Sequence, residues 1–203
     1  IEPEVVVNES PVKWCAVALS DVVARGKRLE ASVFDVEAKQ AYMLLTHGKY
    51  PAVNLISKNG PVEKAYYGGR LKRHYVDETE PGAVGFLGSS EMLDCKPEPV
   101  KFMLNYVKTA DVRVKQGVVL ISRSGTIGNV TYVGNTLSKF FVSEHAIRIE
   151  CKDFPGYVYA FLKTKIGKLI VCSTQYGAVI QEIEPEHLAT VPIPDAPTML
   201  KKK

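Results

Sequence analysis

The chain has 203 residues, of which 46% are hydrophobic and 24% charged, a composition that excludes disorder and collagen-like repeats. Lys and Arg number 26 against 22 Asp and Glu, but three of the lysines are the terminal Lys201, Lys202 and Lys203, so the rest of the chain is nearly neutral. Binding to a polyanion would therefore need basic residues that are grouped rather than abundant.

In chain order, residues 12–18 mix β-branched and aromatic side chains and predict an entry strand. Ser20 and Asp21 then cap a short helical turn over 22–24. Residues 35–46 predict the first clear helix, with Ala38, Ala41, Tyr42 and Leu45 on one face and Gly48 as its stop. A short strand follows at 53–57, then a turn at Asn59-Gly60. Residues 64–99 are rich in Gly and Pro and predict long loops with short strands at 72–76 and 84–87. Loops of that length in a compact domain are usually functional or mobile.

From Val112 the pattern changes to strands at 118–121, 129–133 and 145–150, an antiparallel meander whose first connection is the loop 122–128. Residues 156–172 predict a second strong helix, with an apolar stripe of Val158, Phe161, Leu162, Ile166, Leu169 and Ile170 and a local weakening at Gly167. A strand at 179–183, a helical turn at 186–189 and the segment Val191-Pro192-Ile193-Pro194, confined by its prolines to an edge or a linker, close the domain. The expected architecture is one α+β domain: a twisted, mostly antiparallel sheet, two main helices and long loops.

Several chemistries lack their required spacings. There is no G-x-x-x-x-G-K-[ST] loop, no strand-linked G-x-G-x-x-G and no H-E-x-x-H. Leu120 replaces the first glycine of a nucleophile elbow at Ile121-Ser122-Arg123-Ser124-Gly125. Glu37-Ala38-Lys39 imitates a nuclease motif but lies in a helical pattern, where a solvated face is the better reading. The four histidines (His47, His74, His145, His187) are isolated. The four cysteines (Cys15, Cys95, Cys151, Cys172) are scattered, which fits reduced, mostly buried thiols in a cytoplasmic protein. No apolar run nears the roughly 18 residues of a membrane span and no signal peptide is recognisable. Ile1 in place of an initiator Met points to a trimmed or excised segment. No catalytic residue, metal site or cofactor is expected.

Three segments could carry binding. The loop Ser122-Arg123-Ser124-Gly125-Thr126-Ile127-Gly128 can grip a phosphate through N–H groups and hydroxyls while Arg123 reaches a phosphate or guanine edge; alternatively it is a hairpin loop that satisfies itself. Tyr66-Tyr67-Gly68-Gly69-Arg70-Leu71-Lys72-Arg73-His74-Tyr75 is the densest basic cluster. Arg70, Lys72 and His74 would share one side of a strand, either to neutralise phosphates or to guard an edge strand. In Ser173-Thr174-Gln175-Tyr176-Gly177-Ala178, Gln175 and Tyr176 could read a base or simply end a helix.

Taken in order, these phrases resemble the target recognition domain of a type I restriction–modification specificity subunit, or of related type II systems. The resemblance rests on Trp14…Leu19-Ser20-Asp21-Val22 with Arg28-Leu29-Glu30-Ala31, then on Gly69-Arg70-Leu71-Lys72-Arg73 with Phe86-Leu87-Gly88-Ser89-Ser90-Glu91-Met92. It continues through Leu120-Ile121-Ser122-Arg123-Ser124-Gly125-Thr126-Ile127-Gly128-Asn129-Val130 and Ser143-Glu144-His145-Ala146-Ile147-Arg148-Ile149. Gly156-Tyr157-Val158-Tyr159-Ala160-Phe161-Leu162, Tyr176-Gly177-Ala178-Val179-Ile180-Gln181 and Ile193-Pro194 complete it, over roughly residues 12–195.

The resemblance implies a non-catalytic domain that reads one half of a split target in double-stranded DNA. Methyltransferase and translocase/restriction subunits would be its partners, and a second recognition domain would come from the same chain or by dimerisation. Residues 1–195 would form the recognition domain and 196–203 the start of a spacer helix or a basic tail. The DNA-facing set would be Arg70, Lys72, Arg73, Ser89, Ser90, Ser122, Arg123, Ser124, Thr126, Gln175 and Tyr176, with Arg123 and Gln175 reading bases and the small hydroxyls and Tyr176 positioning. The rivals are a small nuclease or hydrolase using His145 with Glu144 or Ser124, and a protein–protein adaptor.

Overall fold

The structure is a computed structural model and describes residues 14–24, 27–177 and 180–202. Two layers of sheet share a seam, and helices cover the outer face of one of them. The helices are α1 (Leu19–Ala24), α2 (Val36–Thr46), α3 (Pro155–Lys163), α4 (Lys165–Cys172), α5 (Pro185–Ala189) and α6 (Thr198–Lys201). The strands are β1 (Ala52–Asn54), β2 (Val62–Tyr67), β3 (Tyr75–Val76), β4 (Ala83–Leu87), β5 (Lys101–Leu104), β6 (Val119–Ser122), β7 (Val130–Tyr132), β8 (Phe141–Val142), β9 (Ala146–Cys151) and β10 (Pro192–Pro194).

The first sheet has the order β2-β9-β6-β7, the second β3-β5-β4-β8, and β1 pairs with β10 in a separate ribbon. The pairings are antiparallel except β4 with β8. The α+β class and the mostly antiparallel pairing agree with the sequence reading; the single sheet does not. The expected meander is also corrected, because β9 returns to the far side of β6 instead of pairing with β7. That placement gives β9 two neighbours and buries it along Ala146, Ile147, Arg148 and Ile149.

Period-two alternation divides the faces of the first sheet. Ala65, Val119, Ile121, Ile147 and Ile149 point to α2, α3, α4 and α5 and pack with Ala41, Leu45, Val158, Phe161, Ile170 and Leu188. Leu120 points the other way, into a cluster with Leu87, Met92, Val118 and Val142 that joins the two sheets. Arg148 lies on that inner face too. It is 1% exposed and donates to the carbonyls of Ala146 (3.1 Å), Val142 on β8 (2.8 Å) and Val112 (3.4 Å).

The helix expected over 35–46 forms as α2. The Asp35 side chain caps it by accepting from the Ala38 N–H at 2.8 Å, and Ala38, Ala41 and Leu45 are buried. Tyr42, expected on the same face, is 46% exposed. The helix expected over 156–172 is two helices. Thr164 ends α3 and caps α4, its hydroxyl accepting from the Gly167 N–H at 3.0 Å. A Cβ on Gly167 would sit 2.4 Å from the Phe161 carbonyl oxygen, so this glycine permits the close turn between them.

Other expectations shift. Residues 14–18 of the expected entry strand have no regular structure, and 12 and 13 lie outside the described residues. The strand at 53–57 forms at Ala52–Asn54, and that at 72–76 shortens to Tyr75–Val76, so Arg70, Lys72 and His74 do not share a strand face. β2 was not anticipated. Its alternation is interrupted by a register shift between Val62 and Lys64, which hides the pattern. No strand forms over 180–183; residues 178 and 179 lie outside the described residues, and Glu182 makes single bridges to Ser124 and Tyr176. Cys95 is exposed and the other thiols are half-buried rather than buried. Burial pushes the Cys151 thiol up to about 12. Among the described residues, no helix is long and apolar enough to cross a membrane.

Candidate nucleic-acid interface

Strand direction gathers the candidate segments. Because β9 runs antiparallel to β2 and β6, the C-terminal ends of β2 and β6 and the N-terminal end of β9 meet at one end of the first sheet. Residues 68–74 leave β2 there, residues 123–129 leave β6 there, and 143–145 enter β9 there. Parallel pairing of β4 with β8 brings Gly88-Ser89-Ser90 to the same end, and the Ser143 N–H donates to the Leu87 carbonyl at 3.0 Å. Residues 175–177 and 180–182 join through the bridges of Glu182 to Ser124 and Tyr176. The Ile183 N–H also donates to the Arg123 carbonyl at 3.1 Å.

Gly125 (φ 73°) and Gly128 (φ 75°) carry the sharp return of the 122–128 loop, a conformation other residues adopt at a cost. Within it, Ser122 is 0% exposed. Its hydroxyl donates to the Ser124 carbonyl (3.1 Å) and lies 2.8 Å from the Thr126 hydroxyl. Ser122 thus supports the loop from inside and has no surface for a ligand.

Arg123 is also turned to internal use. One guanidinium nitrogen donates to Glu182 (2.8 Å) and Glu184 (2.9 Å), and the group lies 5.0 Å from the centre of the Tyr67 ring. Burial works against its charge, but hydrogen bonding to Tyr176 and Glu184 and the field of both carboxylates outweigh it, so its pKa is raised. The Tyr176 hydroxyl donates to Glu184. Burial pushes the Glu184 carboxyl up, yet hydrogen bonds from Tyr176, Arg123 and Tyr67 hold it below the usual range. The expected base-reading fork is spent as a brace between the 122–128 loop and the segment that ends at α5.

The basic segment after β2 splits similarly. Arg73 donates to both Glu144 oxygens (2.9 and 2.8 Å) and lies 5.1 Å from the centre of the Phe86 ring. Arg70 is 90% exposed, with Glu144 at 4.0 Å, and Lys72 is exposed. Ser90 is exposed and Ser89, Ser124, Thr126, Gln175 and Tyr176 are half-buried. The Gln175 carbonyl accepts from Arg28 at 2.5 Å, which holds this turn against the N-terminal part of the chain. The free cations at this end are thus fewer than the sequence offers. Glu144, Glu182 and Glu184 are the residues that sequence reasoning missed as their partners; only the spacing of Glu182 and Glu184 hinted at a shared face.

Ser124 Oγ lies 3.1 Å from His145 Nδ1, the pair named for a hydrolase. Glu144, the other candidate there, has its carboxylate on Arg73. Among the described residues no group of His, Cys, Asp and Glu is arranged to hold a metal ion.

No curated protein matches the chain. Among solved structures, it is similar to the HsdS subunit from Thermoanaerobacter tengcongensis, with 14% identity and a TM-score of 0.55, over 90% of this chain and 44% of that one. A chain from work on complex assembly and conformational transition of the type I R-M system aligns with 15% identity and a TM-score of 0.50, over 90% of this chain and 48% of that one. The S subunit from M. genitalium aligns over 73% of this chain and 34% of its own, with 14% identity and a TM-score of 0.48. The chain therefore spans less than half the length of these solved chains, and the likeness to the first two, at such identity, is one of fold. The model of the type I restriction modification DNA specificity domain matches residues 11–198, a span that takes in both sheets and every loop gathered at the β9 end. The chain belongs to the family of type I restriction–modification DNA specificity domains.

Proposed function

We propose that this domain reads one half of a bipartite target in duplex DNA and directs methyltransferase and restriction subunits to it. The observation that carries the reading is the meeting of the 68–74, 88–90, 122–128, 143–145, 175–177 and 180–182 segments at one end of the first sheet. Lys72 and Arg70, the latter 90% exposed with only a 4.0 Å approach to the Glu144 that Arg73 holds, are its outward cations and serve as phosphate contacts, which fix register without reading sequence. Ser89, Ser90, Ser124, Thr126 and Tyr176 position the strand, and the amide of Gln175 reads a base edge. Arg73, Ser122 and Arg123 shape the surface from within. In the same reading α6 is the first turn of a spacer helix, and a second recognition domain supplies the other half-site.

Because the chain's charge is nearly balanced, isolated binding is weak and falls steeply with salt. The test is methylated-base mapping and duplex binding by the complex assembled with its methyltransferase subunits. Gln175→Ala is expected to relax one base position, and Arg70→Ala with Lys72→Ala to weaken all sequences alike. Unchanged binding and methylation in both variants would remove this end of the sheet as the reading surface.

A further inference from the structure

A cleft of about 580 Å³ opens beside the loop end, between the end of β2 and residues 110–118. Tyr66 and Tyr67 line it from one side and Asp111, Arg113 and Lys115 from the other, with Arg148 beneath. The local chain explains the arrangement. Val112 and Val114 are buried while Asp111, Arg113 and Lys115 are exposed, so the end of a 3-10 helix (Val107–Val112) and the extended residues after it anchor themselves by the two valines and turn their charges outward. Gly69 lines it beside Tyr67, and the buried Gly68 packs against Arg148. A Cβ at Gly68 would lie 2.8 Å from Arg148 Nη2, and one at Gly69 would lie 3.1 Å from Asp111 Oδ2.

The charge of this cleft is not balanced. Three cations line it against the single carboxylate of Asp111, with Glu150 nearby on the Tyr66 hydroxyl and Arg113 over the Phe141 ring, and no salt bridge of Arg113, Lys115 or Arg148 occurs among the described residues. Arg148 is the most telling. It is 1% exposed, its three acceptors are neutral carbonyls, and its Nε–H has no acceptor. Burying a charge without a counter-ion is unfavourable and points to a role beyond packing. The Tyr66 ring, its hydroxyl held by Glu150 at 2.5 Å and Lys64 4.9 Å from its centre, adds planar surface of the kind on which nucleobases stack, while Tyr67 is committed to Arg123.

We propose that this cleft binds a nucleotide, its phosphate drawn to Lys115, Arg113 and the fixed charge of Arg148 and its base set against the Tyr66 ring. The nucleotide is either a free mononucleotide or an unstacked nucleotide of the bound strand; the second source rests on the reading of this chain as a DNA reader. The cleft adjoins Arg70 through Gly69, so a strand held at the loop end has a short path into it.

The purified chain is titrated with inorganic phosphate, deoxyadenosine monophosphate, a short single-stranded oligonucleotide and its duplex, with backbone amide resonances as the readout. The expected result is a shift centred on Tyr66–Gly69 and Ala110–Lys115 with the mononucleotide or the oligonucleotide. Lys115→Glu, an exposed and foldable change, should weaken that binding about tenfold or more. Lys49→Glu, an exposed lysine elsewhere, should leave it unchanged. Shifts with the mononucleotide identify the free source, and shifts only with oligonucleotides identify the strand. Shifts confined to other segments, or a Lys115→Glu variant that binds like the parent, overturn the cleft while leaving DNA reading intact. Loss of DNA binding by the assembled complex would instead be the failure of the proposed function.

Discussion

Two arginines mark two regions of this molecule that are held in opposite ways. At the loop end, Arg123 is answered by two carboxylates and a tyrosine network. At the seam between the sheets, Arg148 is answered by three carbonyls and sealed from water. The first region fixes its shape by cancelling charge, and so presents little net field of its own. The second stores an uncancelled charge under a cleft. A basic residue in a sequence is therefore a poor measure of attraction for a polyanion; what matters is whether a carboxylate has already claimed it.

The contrast can be broken experimentally, beginning with the largest effect. Arg148→Ala removes a buried side chain and leaves carbonyls of two sheets facing a void, which should cost about 3–4 kcal/mol in chemical denaturation. Arg148→Met keeps the volume and deletes the buried charge, so it should cost less than half as much. Equal losses would show that the carbonyl bonds, and not packing, fasten the seam.

Arg123→Ala should cost about 2–3 kcal/mol, since it leaves Glu182 and Glu184 facing each other without their cation. It should also loosen residues 122–128 and 175–177, read as faster amide exchange there. Acid should act on the same region. Burial raises the Glu184 and Glu144 carboxyls, but hydrogen bonds and cations more than compensate and hold them below their ordinary 4.5. Their stabilisation is complete above that unfolded value and is lost as pH falls through the lower folded values. A denaturation series from neutral pH to about 3 should show a steeper loss in the parent than in Arg123→Ala. The smallest structural effect belongs to Arg70→Ala, whose thermal midpoint should match the parent. In the assembled complex the same change should lower the salt dependence of DNA binding by about one counter-ion.

Local signals were legible where residue chemistry acts within one turn. Asp35 as a cap and the Ala38, Ala41, Leu45 stripe made α2 readable, and Val118-Val119-Leu120-Ile121 announced β6. The break between α3 and α4 was not readable, because Thr164 as a cap and Gly167 at a close approach matter only once the two helices turn against each other. β2 was obscured by its bulge and by Glu63, Lys64 and Tyr67 on its exposed positions. For the site, the sequence named the right segments but not their chemistry. Arg123 and Arg73 looked like DNA ligands because Glu182, Glu184 and Glu144 lie far away in the chain, and only the order β2-β9-β6 brings them close.

That strand order also shapes how the molecule assembles. β2 pairs with β9 from Val62–Cys151 to Tyr67–Ile147, while β1 and β10, lying outside them in the chain, pair from Ala52–Pro194 to Asn54–Pro192. The pairs are nested like brackets. Closing the inner one shortens the loop that the outer one must close, and each halving of that loop relieves about 0.6 kcal/mol of chain entropy. Closure in that order makes the short proline-bearing ribbon the last to dock, and pulse-labelled amide exchange during refolding should show Val53 and Ile193 protected after Ala65 and Ile149.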